Sequence, residues 1–180
     1  MAEGRAAQVD TQMNNEAKTQ LQKILGTYDE KLAEAERRES AIRAAQAAFP
    51  ERFSALRANT IRPALQELAD VLNGRGHESV AREQEESSTT AGGITSASIS
   101  LRVIPKPFVR KSTETSNNFI EITFSANRAE RKITVSSTNT IVNSGGSRGR
   151  RGEYDIEALT ADVVASHVLL TLQEAFADAR

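Results

Sequence analysis

The densest positive charge in this chain lies in one stretch, Gly145-Gly146-Ser147-Arg148-Gly149-Arg150-Arg151-Gly152. Arginine forks grip phosphate or carboxylate oxygens, and glycines let the backbone come close to such a group. The spacing fits neither a Walker loop nor a dinucleotide fingerprint. No aromatic residues are interleaved to stack on bases. Arg148, Arg150 and Arg151 are therefore the candidate anion contacts. A solvated hairpin loop that binds nothing is the plainer reading.

The remaining chemistry-bearing residues are sparse. His77 and His167 are the only histidines. His167 falls on an apolar helical stripe, where a hydrogen-bonded core histidine is a simpler account than a metal ligand or a base. Glu83, Glu85 and Glu86 cluster without the Asp/Asn/Gly pattern of a calcium loop and read as a solvated acidic segment. The serines lack a nucleophile-elbow context. With no cysteine, thiolate nucleophiles, disulfides, cysteine-held zinc and iron–sulfur clusters are excluded. No catalytic, cofactor or metal site is expected, and the chain does not read as an enzyme.

The strongest pattern is structural. Leu21, Leu25, Tyr28, Leu32, Ala35, Ile42, Phe49, Phe53 and Leu56 recur in steps of four and three, with Glu39 and Gln46 filling two gaps. That spacing draws one stripe along a helix and demands a covering helix. The cover is either another part of this chain, in a helical hairpin, or a second molecule. A helix over residues 13–48 would reach about 54 Å, which favours self-association as a homodimer through Leu21, Leu25, Tyr28, Leu32, Ile42, Phe49, Phe53 and Leu56. Phe49-Pro50 predicts either a kink or a hairpin turn. Residues 51–73 continue as helix, with Pro63 predicting a second bend and Asn73-Gly74 a stop.

Residues 74–93 are polar and glycine-flanked and read as a flexible linker with a helical turn near Ser79–Glu83. The hydrophobic period then changes to two. Ala97, Ile99, Leu101 and Val103 alternate, as do Ile120, Ile122, Phe124 and Ala126, and a third strand runs from Ile133 toward Val142. Asn127-Arg128-Ala129-Glu130 has the length of a hairpin turn. Tyr154 and Ile156 suggest a short edge strand. Thr160 reads as the N-cap of a last helix, whose stripe includes Val164, Val168, Leu172 and Phe176.

Composition agrees with a modest core. Hydrophobic residues make up 38%, charged residues 26% and aromatic residues 4%. Net charge is −1, divided as −3 over residues 1–93 and +2 over 94–180, so no polyanion partner is dictated. No signal peptide or membrane-spanning run is read. A cytoplasmic protein is expected, and arginine's excess over lysine hints at a bacterial source. The expected class is α+β: a disordered N-terminus (1–12), a helical arm (13–73), a linker (74–93), and three or four antiparallel strands backed by a helix (94–180). The expected function is protein–protein assembly, as an adaptor or scaffold. The alternative is nucleic-acid or anion association through residues 145–152.

Overall fold

The computed structural model describes residues 15–88, 93–109, 118–141 and 147–177. It opens with helix α1 (Asn15–Leu56), a π-helical turn at Arg57–Ile61, and helix α2 (Arg62–Gly74). Strands β1 (Glu78–Gln84), β2 (Ser87–Ser88), β3 (Ile94–Thr95), β4 (Ser98–Ile104), β5 (Ile120–Asn127), β6 (Lys132–Asn139) and β7 (Ser147–Tyr154) follow. Helix α3 (Ala161–Ala177) comes last. The class is α+β, with a five-stranded antiparallel sheet ordered β1-β4-β5-β6-β7 and a small β2-β3 pair.

The chain divides into two units, Met1–Ala44 and Ala45–Arg180. In the first, α1 is built from good helix formers, braced one turn apart by Glu34 with Arg38 and by Glu39 with Arg43. Exposed pairs of this kind add only tenths of a kcal/mol each, about 0.2–0.5.

In the second unit, one sheet face carries the core. Ile99, Leu101 and Val103 of β4, Ile120, Ile122 and Phe124 of β5, and Ile133 and Val135 of β6 are all fully buried. They pack with Phe49 and Phe53 of α1, Ile61, Leu65 of α2, and Val164 and Val168 of α3. The alternation read from sequence places these three central strands correctly, and Val135 faces Phe124 across the β5–β6 ladder. Val163 N–H donates to Thr160 Oγ1 at 3.4 Å, so Thr160 caps α3 as expected.

The two helical prolines, Pro50 and Pro63, are accommodated by different means. At Pro50 the chain does not turn back, and α1 continues as helix. Proline has no N–H for the carbonyl of Gln46, one turn earlier. Arg128 Nε donates to that carbonyl at 3.3 Å instead, while Gln46 Nε2 donates to Ala129 O at 3.0 Å. Gln46, a gap in the apolar stripe, thus anchors the β5–β6 turn. Ahead of Pro63 the helix widens, with Arg62 N–H bonding Arg57 O five residues back.

The stop read at Asn73-Gly74 is completed two residues later. Gly76 takes φ +87°, and His77 N–H and Gly76 N–H donate to Leu72 O and Asn73 O, a Schellman end. Asn73 then exchanges two hydrogen bonds with the backbone of Ser79, at 2.7 and 3.1 Å. That clamp starts β1.

Three local expectations are corrected. Much of the region read as a linker, with a helical turn near Ser79–Glu83, is strand β1, paired with β4 from Glu78↔Ile104 to Gln84↔Ser98. Ser147–Gly152, read within an irregular loop, belongs to strand β7, paired with β6 and bulged between Val135 and Ser136. The sheet therefore has five strands, where three or four were expected. The expected disordered start (1–12), Gly145, Gly146 and Val142 lie outside the described residues.

Candidate interaction surfaces

The apolar stripe meets two environments. Phe49 and Phe53 are buried in the core, and Leu56 is half-buried against it. By contrast Leu21, Leu25, Tyr28, Leu32 and Ile42 are 45–61% exposed. Ala35 and Glu39 between them are also exposed. Ile24, beside Leu25, is 64% exposed and widens this surface. It lies one step off the heptad stripe, so the period alone does not mark it. This row of side chains is exposed apolar surface on one face of a helix.

The three candidate arginines separate. Residues paired across neighbouring antiparallel strands share a sheet face. Arg148 is opposite Thr138 and Arg150 opposite Ser136, on the face away from the core. Arg151 is the bulge residue and turns the other way. Its Nε donates to Ser137 Oγ at 2.7 Å, and its guanidinium pairs with Glu174 of α3 at 2.6 Å. Arg150 pairs with Glu153 on its own strand.

The open sheet face is polar and regular. One row crosses it as Arg82, Ser100, Thr123, Ser136 and Arg150; the next runs Val80, Arg102, Glu121, Thr138 and Arg148. Ser100, Thr123, Ser136 and Thr138 place hydroxyls in the middle beside Arg102 and Glu121, and Arg82, Arg148 and Arg150 sit on the edge strands. Arg102 also covers the Phe119 ring at 3.7 Å, a cation–π contact. Ser100 Oγ donates to Glu121 Oε1 at 3.0 Å. This arrangement was hidden in the sequence, because β1 and β7 carry no apolar alternation.

The acidic cluster is neutralised within the fold. Arg57, 6% exposed, pairs with Glu85 at 2.5 Å and Glu83 at 3.6 Å, and Arg62 also pairs with Glu83. Glu86 meets Arg128 at 3.5 Å. These carboxylates are structural partners of arginines instead of a free acidic site.

The histidines lie apart. His77 stacks on Phe176 with ring centroids 5.6 Å apart, and its Nδ1 accepts from Lys106 N–H at 3.2 Å. His167 Nε2 and Tyr154 Oη are hydrogen-bonded at 2.6 Å. Burial, and then the positive charge of Arg151, hold the His167 pKa below the usual histidine range. A neutral imidazole bonded to a tyrosine satisfies two half-buried polar groups. Among the described residues, no group of three or more His, Asp or Glu is placed to hold a metal ion, and no helix is long and apolar enough to cross a membrane.

Two open clefts mark the compact unit. One, of about 300 Å³, is lined by both signs of charge, including Arg52, Arg131, Lys132, Asp155 and Glu157. The other, of about 550 Å³, lies beside Arg151, Thr171 and Glu174. Comparison with protein-family models, with curated proteins and with solved structures gives no match to this chain.

Proposed function

We propose that this chain is a non-enzymatic assembly or adaptor protein that self-associates through the stripe of α1. One observation carries the reading: five large apolar side chains at heptad spacing, Leu21 to Ile42, are 45–61% exposed. A surface helix left in that state loses the burial that normally holds it. A second helix of the same period supplies it. The compact unit is then what each copy brings to a partner protein, and its two sheet edges, β1 and β7, are natural places for strand addition. A cysteine-free composition supports a reducing, cytoplasmic setting.

A second reading has its own observation. Arg82, Arg148 and Arg150 lie on the edge strands of the open face, with Arg102 and several hydroxyls between them beside Glu121, which suits an anionic backbone better than the glycine-rich loop alone does. Arg151 is not part of it.

Sedimentation velocity separates the two. The protein is run with a labelled duplex and a labelled single strand at low salt. The assembly reading expects a dimer, with both labels sedimenting alone. Co-sedimentation that salt reverses, and that Arg148→Glu with Arg150→Glu abolishes, would favour the anion reading. A compact monomer would contradict the assembly reading.

A further inference from the structure

We infer that the second copy pairs with this helix in parallel and in register, over Leu21 to Ile42, an inference that rests on the self-association reading. In heptad terms Leu25 and Leu32 occupy position a, and Leu21, Tyr28, Ala35 and Ile42 position d. The flanking positions then follow. Ile24, Lys31 and Arg38 are at g; Gln22, Asp29, Glu36 and Arg43 are at e. All are on the exposed stretch of α1.

These flanks decide orientation. A parallel pair sets g of one helix against e of the next heptad on the other. Lys31 then meets Glu36 of the second copy, and symmetry makes the contact twice. An antiparallel pair sets g against g and e against e. That opposes the basic Lys31 and Arg38 to each other and the acidic Asp29 and Glu36 to each other. Like charges held this close disfavour that arrangement.

One parallel contact is unfavourable on its face: Arg38 opposite Arg43. Both guanidinium groups are already matched within their own helix, Arg38 by Glu34 and Arg43 by Glu39. Glu39 occupies an a position, and the flanking arginines offset its approach to its twin. The pairing therefore loosens toward Ile42. It ends there, because Gln46, Phe49 and Phe53 are engaged within Ala45–Arg180. The contact spans about three heptads, about 32 Å, which implies a reversible dimer. A parallel pair brings the C-terminal ends of the two helices together, so the dimer presents the following unit twice and binds a multivalent partner with avidity.

The absence of native cysteine makes the test clean. Leu25→Cys and Leu32→Cys are made singly in the full chain, oxidised, and run on a non-reducing gel beside sedimentation of the wild type. Parallel register expects each single variant to form a covalent dimer, because a-position backbones lie within disulfide reach. It expects little mixed cross-link in a mixture of Leu25→Cys with Ile42→Cys or with Ala35→Cys beyond the homodimers that each variant forms by itself. Mixed cross-links without the homodimer, or no cross-link in a chain that sediments as a dimer, overturn the orientation and leave self-association standing. A monomeric wild type overturns both. As a check that spares the seam, Lys31→Glu should weaken dimerisation about five-fold, and adding Glu36→Lys should restore it. Failure of the double exchange to restore it also overturns the parallel register.

Discussion

Leu32 and Phe53 share one phase of one helix, yet Phe53 is buried in a core while Leu32 is about half-exposed. The seven-residue spacing is the same on both sides of Ala44. What differs is what the rest of the chain brings to it. Phe53 belongs to a buried core that also holds Phe124 and Ile99 of the sheet and Val164 of α3. Around Leu32 the described residues supply no cover. A period therefore says that a stripe must be covered, and the supply of partner surface decides by what.

The sharpest way to break this comparison is to truncate each member. Phe53→Ala removes a fully buried ring and should destabilise the compact unit by about 3–5 kcal/mol, read as a lowered midpoint in urea. Leu32→Asp should leave that midpoint within about 0.5 kcal/mol and abolish dimerisation in sedimentation. A large urea shift from Leu32→Asp would mean the two stretches are not distinct.

Arg57 tests the polar part of the buried side. Its guanidinium is shut in beneath Glu83 and Glu85. Arg57→Met should cost about 2–3 kcal/mol, less than the usual penalty for a fully buried pair because Glu85 remains largely solvated. A neutral result would show that the cluster contributes specificity and little stability.

On the exposed side, Gly26 offers a gain. A Cβ there meets no atom within 4 Å. Gly26→Ala should strengthen the helix by about 1 kcal/mol, raising far-UV helicity and tightening dimerisation without moving the urea midpoint of the compact unit.

The smallest effect concerns pH. His167 is held below its ordinary pKa by burial and by Arg151, so the unfolded chain takes up this proton more readily than the folded one. Stability from the neutral imidazole is full above the ordinary histidine value and declines as pH falls through it toward the lowered folded value. His167→Gln should flatten that part of the slope, seen by comparing Tm of the two proteins between about pH 8 and pH 5.

The sequence was most legible where burial is complete. Ile99 to Val103, Ile120 to Ala126, and Ile133 to Val135 alternate because one face is core and the other polar. The edge strands were missed for a physical reason. The core-side positions of β1 are Ser79, Ala81 and Glu83, and those of β7 include Gly149, Arg151 and Gly152. At the rim of the sheet these residues meet Arg57, Glu174 and solvent, so no aliphatic alternation marks them. Gly76 carries the left-handed turn two residues beyond the expected stop, since Arg75 still completes the helix end. The arginine cluster was visible as composition. Its division between two sheet faces was not, because a single bulge residue sets it.

Amide hydrogen exchange at two protein concentrations tests the central contrast most directly. Amides of residues 21–42 should gain protection as concentration rises and lose it in the Leu25→Asp, Leu32→Asp variant, while those of α2 and β5 stay protected throughout. Equal, concentration-independent protection of residues 21–42 in wild type and variant would contradict it.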